Sequence, residues 1–201
     1  GVFEKYVEEN SKTFIWDLSA GTGLALSKLA HKNFPFVKDN LGGDCMTEGF
    51  EFSESHFKEM KYHLKRKVIA FNNLDDFFLK RPKKFDRFDS PKLIIAHKII
   101  SHIPSPDIYL KKCAEALSSD GRLIITSFLI DHPNYETLSM GFPSEYFSMF
   151  SDQSLTALLN ESGFEVVERN FSTPFGTFIC KRGNISPKAN FEKQKEHWIY
   201  F

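Results

Sequence analysis

The stretch Phe14-Ile15-Trp16-Asp17-Leu18-Ser19-Ala20-Gly21-Thr22-Gly23-Leu24-Ala25-Leu26 decides the fold of this chain. An apolar run, interrupted only by Asp17, leads into two glycines and then into apolar residues at helical spacing. This order predicts a strand, a glycine-rich turn and a helix, which place backbone N–H groups and a helix N-terminus beside a bound ligand. Because buried carboxylates are rare unless they are paired, Asp17 is predicted to accept hydrogen bonds from the turn or from a cationic ligand.

The composition indicates one globular domain without a strongly charged partner. The 201 residues include 26 Lys and Arg and 26 Asp and Glu, so the formal net charge is zero. No general attraction to nucleic acid follows, and no apolar run reaches the roughly 18 residues of a membrane-spanning helix. We therefore expect neither a nucleic-acid nor a membrane partner. Three distant cysteines, Cys45, Cys113 and Cys180, favour a reducing, cytoplasmic setting over disulfides or zinc.

Seven segments are predicted as strands because each is short, apolar or alternating, and bounded by turn residues. They are Phe14–Leu18, Met46–Phe52, Lys67–Phe71, Lys92–Ala96, Arg122–Phe128, Phe164–Val167 and Thr177–Cys180. Helical patterns stand between them as far as Phe128, which is typical of a mostly parallel sheet. The last two segments have no helix between them, so one of these strands is expected to be antiparallel.

Three residues mark the expected ends of two helices. Ser105, followed by Pro106, and Ser151 are predicted as N-caps. Gly163 is expected to end the second helix, because glycine adopts the backbone conformation that follows a helix. Between this helix and the preceding strand, residues 131–150 are rich in aromatic side chains. They are predicted either to cover an acceptor as a lid or to pack the domain.

Polar residues follow three of the predicted strands at the edge where open α/β sheets bind ligands. Glu51 ends the second strand, and a carboxylate there can accept hydrogen bonds from two ribose hydroxyls. His97 and His102 follow the fourth strand, and histidine is the usual general base near pH 7. Asp131 and His132, after the fifth strand, are a third possibility for this role. A capping or surface histidine is the alternative in each case.

Three stretches, in this order, resemble the class I S-adenosylmethionine (SAM)-dependent methyltransferases, particularly the small-molecule branch. Ile15–Gly23 is similar to the family's first motif, hydrophobic-x-Asp-hydrophobic-Gly-x-Gly-x-Gly. Asp107–Phe128 resembles its helix, turn and fifth strand, and Phe150–Val167 its segment with the pattern Leu…Leu-Leu…Gly-Phe. The resemblance implies a single domain, residues 1–183, followed by a polar tail or helix at 184–201. Its expected fold is a doubly wound, Rossmann-like α/β sheet of seven mostly parallel strands, with an antiparallel C-terminal strand and helices on both faces.

The resemblance also implies a SAM site. The implied cofactor-binding residues are Asp17 near the methionyl ammonium, Ser19, Ala20, Gly21 and Gly23 in the turn, Glu51 at the ribose, Asn73 and Leu74 beside the adenine, and Ala96 below the sulfonium. The implied catalytic residues are His97 and His102. Ser19 departs from the family because it replaces the first glycine, a change that the turn tolerates if φ of Ser19 stays negative.

The implied function is an enzyme that transfers a methyl group from SAM to a small molecule, with O-methylation favoured over N- or C-methylation. The acceptor could be a sugar, a phosphorylated metabolite or a natural-product intermediate. A nicotinamide-dependent oxidoreductase, a protein or peptide methyltransferase and a non-catalytic methyltransferase-like module of a larger protein are the alternatives. No metal is expected, because Lys98, Ile100 and Ser101 stand where some relatives place carboxylates for Mg²⁺.

Overall fold

The computed structural model describes residues 15–21, 55, 58, 59, 90–132, 146–171 and 175–183, together with the backbone of 47–50 and 68–71. The described strands are β1 (Ile15–Asp17), β2 (Thr47–Phe50), β3 (Val68–Phe71), β4 (Leu93–His97), β5 (Arg122–Phe128), β6 (Phe164–Asn170) and β7 (Phe175–Arg182). A 3-10 helix covers Ile100–His102, and two α-helices, α1 (Pro106–Ala116) and α2 (Asp152–Glu161), follow. The chain divides into two compact units, Gly1–Ile95 and Ala96–Phe201.

The first unit contains parallel strands in the order β3-β2-β1-β4. Ile15 of β1 pairs with Thr47 of β2 on one side and with Leu93 of β4 on the other. All three residues of β1 are buried, and so are Leu93, Ile94 and Ile95 of β4. Strands buried on both faces are mostly apolar, which is why the sequence shows apolar runs here rather than alternation, with Asp17 as the interruption in β1.

The second unit begins with the last two residues of β4 and places the strands in the order β4-β5-β7-β6. Strand β7 is antiparallel both to β5, with Leu123 opposite Cys180, and to β6, with Phe164 opposite Arg182. The expected antiparallel strand near the C-terminus is thus present. The core of the unit includes Leu110, Leu123, Leu155, Leu159 and Phe178, each of which is at most 2% exposed.

The two helix starts differ in how they are capped. The Ser151 hydroxyl accepts the Ser154 N–H at 3.1 Å, and the Ser154 hydroxyl accepts the Ser151 N–H at 2.9 Å, so α2 begins with a reciprocal capping box. Gly163 follows α2 with φ of 93°, as its position predicted. Ser105 occupies the N-cap position of α1, but its side chain makes no capping hydrogen bond. The predicted positions of Ser105 as N-cap and of Pro106 as first helical residue are therefore confirmed, although the Ser105 hydroxyl does not cap the helix.

Strands β6 and β7 extend beyond the predicted bounds. Most of β6 is exposed beyond its buried first residue, Phe164. A bulge between Val166 and Glu168 shifts its register against β7. Because an exposed, bulged strand does not alternate regularly, the apolar pattern revealed only its first residues.

Among the described residues no helix is long and apolar enough to cross a membrane.

Candidate functional site

The turn after β1 closes on the carboxylate of Asp17. This residue is 3% exposed, and its Oδ1 accepts the Ser19 N–H at 3.0 Å and the Ser19 hydroxyl at 3.3 Å. Leu18, the first residue after β1, donates its N–H to the Ile95 carbonyl at 2.8 Å. The predicted hydrogen bond between Asp17 and the turn is therefore present, and the turn has a defined conformation at the carboxyl end of β1.

Gly21 and Ser19 differ in the sign of φ, which is positive at Gly21 but not at Ser19. Gly21 has φ of +55°, and a Cβ atom built on it would meet no atom within 4 Å among the described surroundings. A left-handed conformation favours glycine, and the space beside Gly21 among the described residues could admit a ligand. Among the described residues other than glycine, Lys98 has the positive φ. Ser19 therefore avoids the left-handed region, which meets the condition for a serine at this position.

In the second unit, His97 contacts a hydroxyl group on β5. Ala96 is buried at the end of β4, and His97 follows it as an exposed residue. The Nδ1 atom of His97 lies 2.7 Å from Oγ1 of Thr126, a residue that is 8% exposed. Desolvation of the imidazole and the positive charge of Lys98 lower the pKa of His97. The neutral imidazole is thus favoured near pH 7.

Lys98 completes this cluster through its backbone and its side chain. Its φ is 59°, an uncommon value for a residue with a side chain. The Lys98 N–H donates to the Thr126 carbonyl at 2.9 Å and approaches the Thr126 hydroxyl oxygen at 3.2 Å. Its Nζ lies 3.8 Å from the centre of the Phe175 ring, within cation–π range. We name His97, Lys98, Thr126 and Phe175 the His97 cluster.

His102 lies in an aromatic contact rather than in the His97 cluster. It ends the 3-10 helix, and its ring centre is 4.7 Å from that of Tyr146, edge to face. The Ser101 carbonyl accepts the N–H of Phe147 at 2.8 Å. These contacts fix residues 146–148, the described end of the predicted lid, against the 3-10 helix. Phe147 is 57% exposed there, which leaves an aromatic ring on the surface.

Asp131 and His132 both make contacts that join segments of the second unit. The two carboxylate oxygens of Asp131 accept the N–H of Asp152, at 3.0 Å each, at the start of α2. His132 is 6% exposed, and its Nε2 lies 3.3 Å from the Phe171 carbonyl. The structure therefore favours the capping and packing alternative for these two residues over a role as general base.

The predicted site residues thus fall into separate groups. Asp17, Ser19, Ala20 and Gly21 share one turn in the first unit, whereas Ala96, His97 and His102 belong to the second. Four predicted residues, Gly23, Glu51, Asn73 and Leu74, lie outside the described residues, as do 133–145 and 184–201. Within the described part of the chain, no three His, Cys, Asp or Glu side chains are grouped so as to hold a metal ion.

Sequence reasoning missed Thr126, Lys98 and Phe175 as members of a site. Thr126 carried a signal, since it is a polar residue inside the apolar run of β5. Its orientation towards His97 depends on the register between β4 and β5, which the residue pattern alone does not specify. The two described cysteines, Cys113 and Cys180, are buried, and burial raises the pKa of both thiols, for Cys180 to about 12. They are therefore unsuited to nucleophilic chemistry.

Comparison with known proteins assigns a family to most of the chain. A family model described as a methyltransferase domain matches residues 8–169, which is more than half of the sequence. No curated protein matches the chain.

Solved structures agree at the level of the fold. An S-adenosylmethionine-dependent methyltransferase from Clostridium acetobutylicum has a TM-score of 0.66 and 13% identity, covering 91% of this chain and 89% of its own. A putative S-adenosylmethionine-dependent methyltransferase from Listeria monocytogenes has a TM-score of 0.64 and 12% identity, covering 91% and 96%. The mitomycin 7-O-methyltransferase MmcR has a TM-score of 0.61 and 17% identity, covering 85% and 49%. The shared architecture is a Rossmann-like α/β fold.

Proposed function

Because this chain belongs to the family of S-adenosylmethionine-dependent methyltransferase domains, we propose that it methylates an oxygen atom of a small molecule. The chain is an enzyme, and SAM is its methyl donor. The observation that carries the oxygen assignment is the His97 cluster, where an exposed imidazole at the end of β4 lies 2.7 Å from a hydroxyl group on β5. The carboxyl ends of parallel strands are where open α/β sheets bind their ligands.

The turn after β1 supports the binding of SAM in the first unit. The buried carboxylate of Asp17 is suited to a ligand that carries an ammonium group, and no described atom fills the space beside Gly21. The residues proposed to hold SAM are Asp17, Ser19, Ala20, Gly21, Gly23, Glu51, Asn73, Leu74 and Ala96. When bound, SAM supplies an electrophilic methyl group, whose transfer forms a carbon–oxygen bond, breaks the carbon–sulfur bond and leaves the electron pair on sulfur.

His97 and His102 are the proposed residues on the acceptor side. A positioned imidazole can orient an acceptor oxygen, which lowers the barrier by alignment. It can also remove a proton from the oxygen, which makes the oxygen more nucleophilic. His97 is favoured because it is the last residue of β4, whereas the ring of His102 packs against Tyr146. The mitomycin 7-O-methyltransferase MmcR is consistent with an oxygen acceptor, but the likeness to this chain is one of fold alone.

We further propose that residues 1–183 form one domain with a single doubly wound sheet of seven strands and helices on both faces. The alternation of strand and helical patterns along the sequence as far as Phe128 supports this fold. Residues 131–150 are the proposed acceptor lid, and 184–201 a polar tail or helix. The buried, free thiols of Cys113 and Cys180 are consistent with a cytoplasmic location.

The small-molecule assignment is testable without knowing the acceptor. The protein is incubated with SAM carrying a tritiated methyl group and with a cell extract, and the products are separated by size. Label in the small-molecule fraction, absent when the protein is omitted, is the expected result. Label confined to protein or nucleic acid would overturn the small-molecule proposal and favour a macromolecular acceptor.

A further inference from the structure

The hydroxyl of Thr126 has a limited set of partners. A threonine hydroxyl carries one proton to donate and two lone pairs to accept with. One contact is the Lys98 N–H, which can only donate, at 3.2 Å from Oγ1. The other is Nδ1 of His97, at 2.7 Å. Among the described residues, Nδ1 is thus the acceptor available to the hydroxyl proton.

The partners of the Thr126 hydroxyl favour one of the two ring nitrogens of His97 as the site of the proton in the neutral imidazole. If Thr126 donates to Nδ1, that nitrogen carries a lone pair, and the ring proton lies on Nε2. If Nδ1 carried the proton instead, it would donate to Oγ1, and the hydroxyl proton would have no acceptor in a site that is 8% exposed. Leaving a buried donor without an acceptor costs free energy. The first arrangement is therefore favoured.

We propose that Thr126 is a positioning residue that holds His97 with its proton on Nε2, so that His97 donates a hydrogen bond to the acceptor oxygen. This inference rests on the proposed function, since it concerns how the same site binds its acceptor. An imidazole in this form has no lone pair on Nε2. It therefore binds the acceptor oxygen but does not remove a proton from it.

The direction of this hydrogen bond specifies a substrate class. A hydroxyl acceptor must lose a proton when its oxygen is methylated, whereas an oxygen that is already ionised need lose none. The positive charge of the Lys98 ammonium acts on His97, and the same charge favours a negatively charged ligand beside the imidazole. The acceptor class that fits is an oxygen acid ionised near pH 7, such as a carboxylate or an acidic phenol.

The position of the proton can be measured directly in the free protein. The ¹⁵N chemical shifts of the His97 ring in uniformly labelled protein distinguish a protonated ring nitrogen from one with a lone pair. We expect Nε2 to be protonated in the wild type and in Thr126→Ser, which keeps the hydroxyl. Thr126→Val removes the hydroxyl and should lower the preference for this tautomer about tenfold. Protonated Nδ1 in the wild type would overturn the proposal, whether or not the valine variant folds.

A neighbouring hydroxyl provides the matched control. Ser127 is buried on the same strand, and its hydroxyl donates to the Phe128 carbonyl at 3.2 Å rather than to His97. Ser127→Ala should therefore leave the ring shifts of His97 unchanged. An equal tautomer shift in Thr126→Val and Ser127→Ala would show a general effect of altering β5, and it would count against the positioning role of Thr126.

The acceptor class is tested with two probes of similar shape, benzoate and benzyl alcohol, in the presence of S-adenosylhomocysteine. Benzoate should shift the Nε2 resonance of His97, and benzyl alcohol should shift it at least tenfold less at equal concentration. No benzoate effect, or an equal effect of the alcohol, would overturn the ionised-acceptor assignment. Calorimetry on the same sample separates the two proposals. Failure of S-adenosylhomocysteine to bind counts against the proposed function, whereas the tautomer in the free protein tests only this inference.

Discussion

Oγ1 of Thr126 lies 2.7 Å from Nδ1 of His97, and this contact links the interior of β5 to the residue that ends β4. The same hydroxyl lies 3.2 Å from the N–H of Lys98, whose positive φ turns the chain at this point. The orientation of the His97 imidazole is therefore determined by a buried residue that is distant in sequence.

Substitutions of His97 should separate hydrogen-bond donation from proton removal. His97→Gln keeps a side-chain N–H donor, so we expect turnover to remain within about tenfold of the wild type. His97→Ala removes the donor and should lower turnover about 10- to 100-fold, because hydrogen bonds to charged groups contribute about 1.5–3 kcal/mol. Steady-state kinetics with the acceptor found in the labelled extract measure both effects. Equal losses in the two variants would indicate that His97 is a base.

Asp17→Asn should weaken cofactor binding while retaining the turn. The asparagine carbonyl can still accept hydrogen bonds from the N–H and hydroxyl of Ser19, but the negative charge is lost. We expect the dissociation constant for SAM, measured by calorimetry, to rise about 10- to 100-fold, as for a lost charge-assisted hydrogen bond. Asp131→Asn, which alters the carboxylate at the start of α2, is the control and should bind SAM normally. Unchanged affinity in Asp17→Asn would reject the proposed role of Asp17.

Gly21→Ala should affect both stability and binding, whereas Gly121→Ala should affect stability alone. At Gly21, φ of +55° costs an alanine about 1–2 kcal/mol, and the added methyl group would enter the space proposed for SAM. At Gly121, a Cβ would lie 2.6 Å from the Leu117 side chain, so that the loss there comes from crowding. Urea unfolding and calorimetry measure the two effects. Normal SAM affinity in folded Gly21→Ala would show that the ligand does not occupy this space.

Two serines in equivalent positions should differ in their contribution to stability. Ser151→Ala removes both the acceptor for the Ser154 N–H and a partner in the capping box, and it should cost about 1 kcal/mol of unfolding free energy. Ser105→Ala should cost much less, because the Ser105 side chain makes no capping hydrogen bond. Denaturant unfolding of the two variants side by side gives the comparison. A loss at Ser105 as large as that at Ser151 would contradict this description of the helix starts.

The lowered pKa of His97 should make stability rise with pH. Because the folded state lowers this pKa below its usual value of 6.5, the unfolded chain binds more protons as the pH falls through that value. The contribution of neutral His97 to the free energy of unfolding is therefore fully present above pH 6.5, and it decreases as the pH falls towards the pKa of His97 in the folded state. Unfolding measured across this range should show a weaker pH dependence in His97→Gln. An unchanged or steeper dependence in that variant would contradict the lowered pKa.

The sequence was sufficient to predict β4 because this strand has a dense apolar core. Leu93, Ile94 and Ile95, for example, are almost completely buried between neighbours on both sides, and that burial is what produces an unbroken apolar run. The turn after β1 was also predictable, because the hydrogen bonds between Asp17 and Ser19 span only two residues. Both elements were predictable because the residues that form them are close together in the sequence.

The candidate site was less predictable because its contacts are long-range. Thr126 and His97 are separated by 29 positions, and their contact depends on strand register rather than on local pattern. Asp131 and His132 follow β5 at the edge where catalytic residues are common, yet they contact Asp152 and Phe171 instead. Position at the end of a strand indicates where a residue lies, whereas its partners in three dimensions determine what it does.

Identification of the atom that receives the methyl group tests the central claim most directly. The protein is incubated with the cell extract and with SAM labelled with ¹³C in its methyl group, and the products are analysed by NMR. The carbon shift of the new methyl group distinguishes attachment to oxygen, nitrogen or carbon. We predict an oxygen-bound methyl group on a small molecule. A nitrogen- or carbon-bound methyl group, or labelled methyl that remains on SAM, would contradict the account.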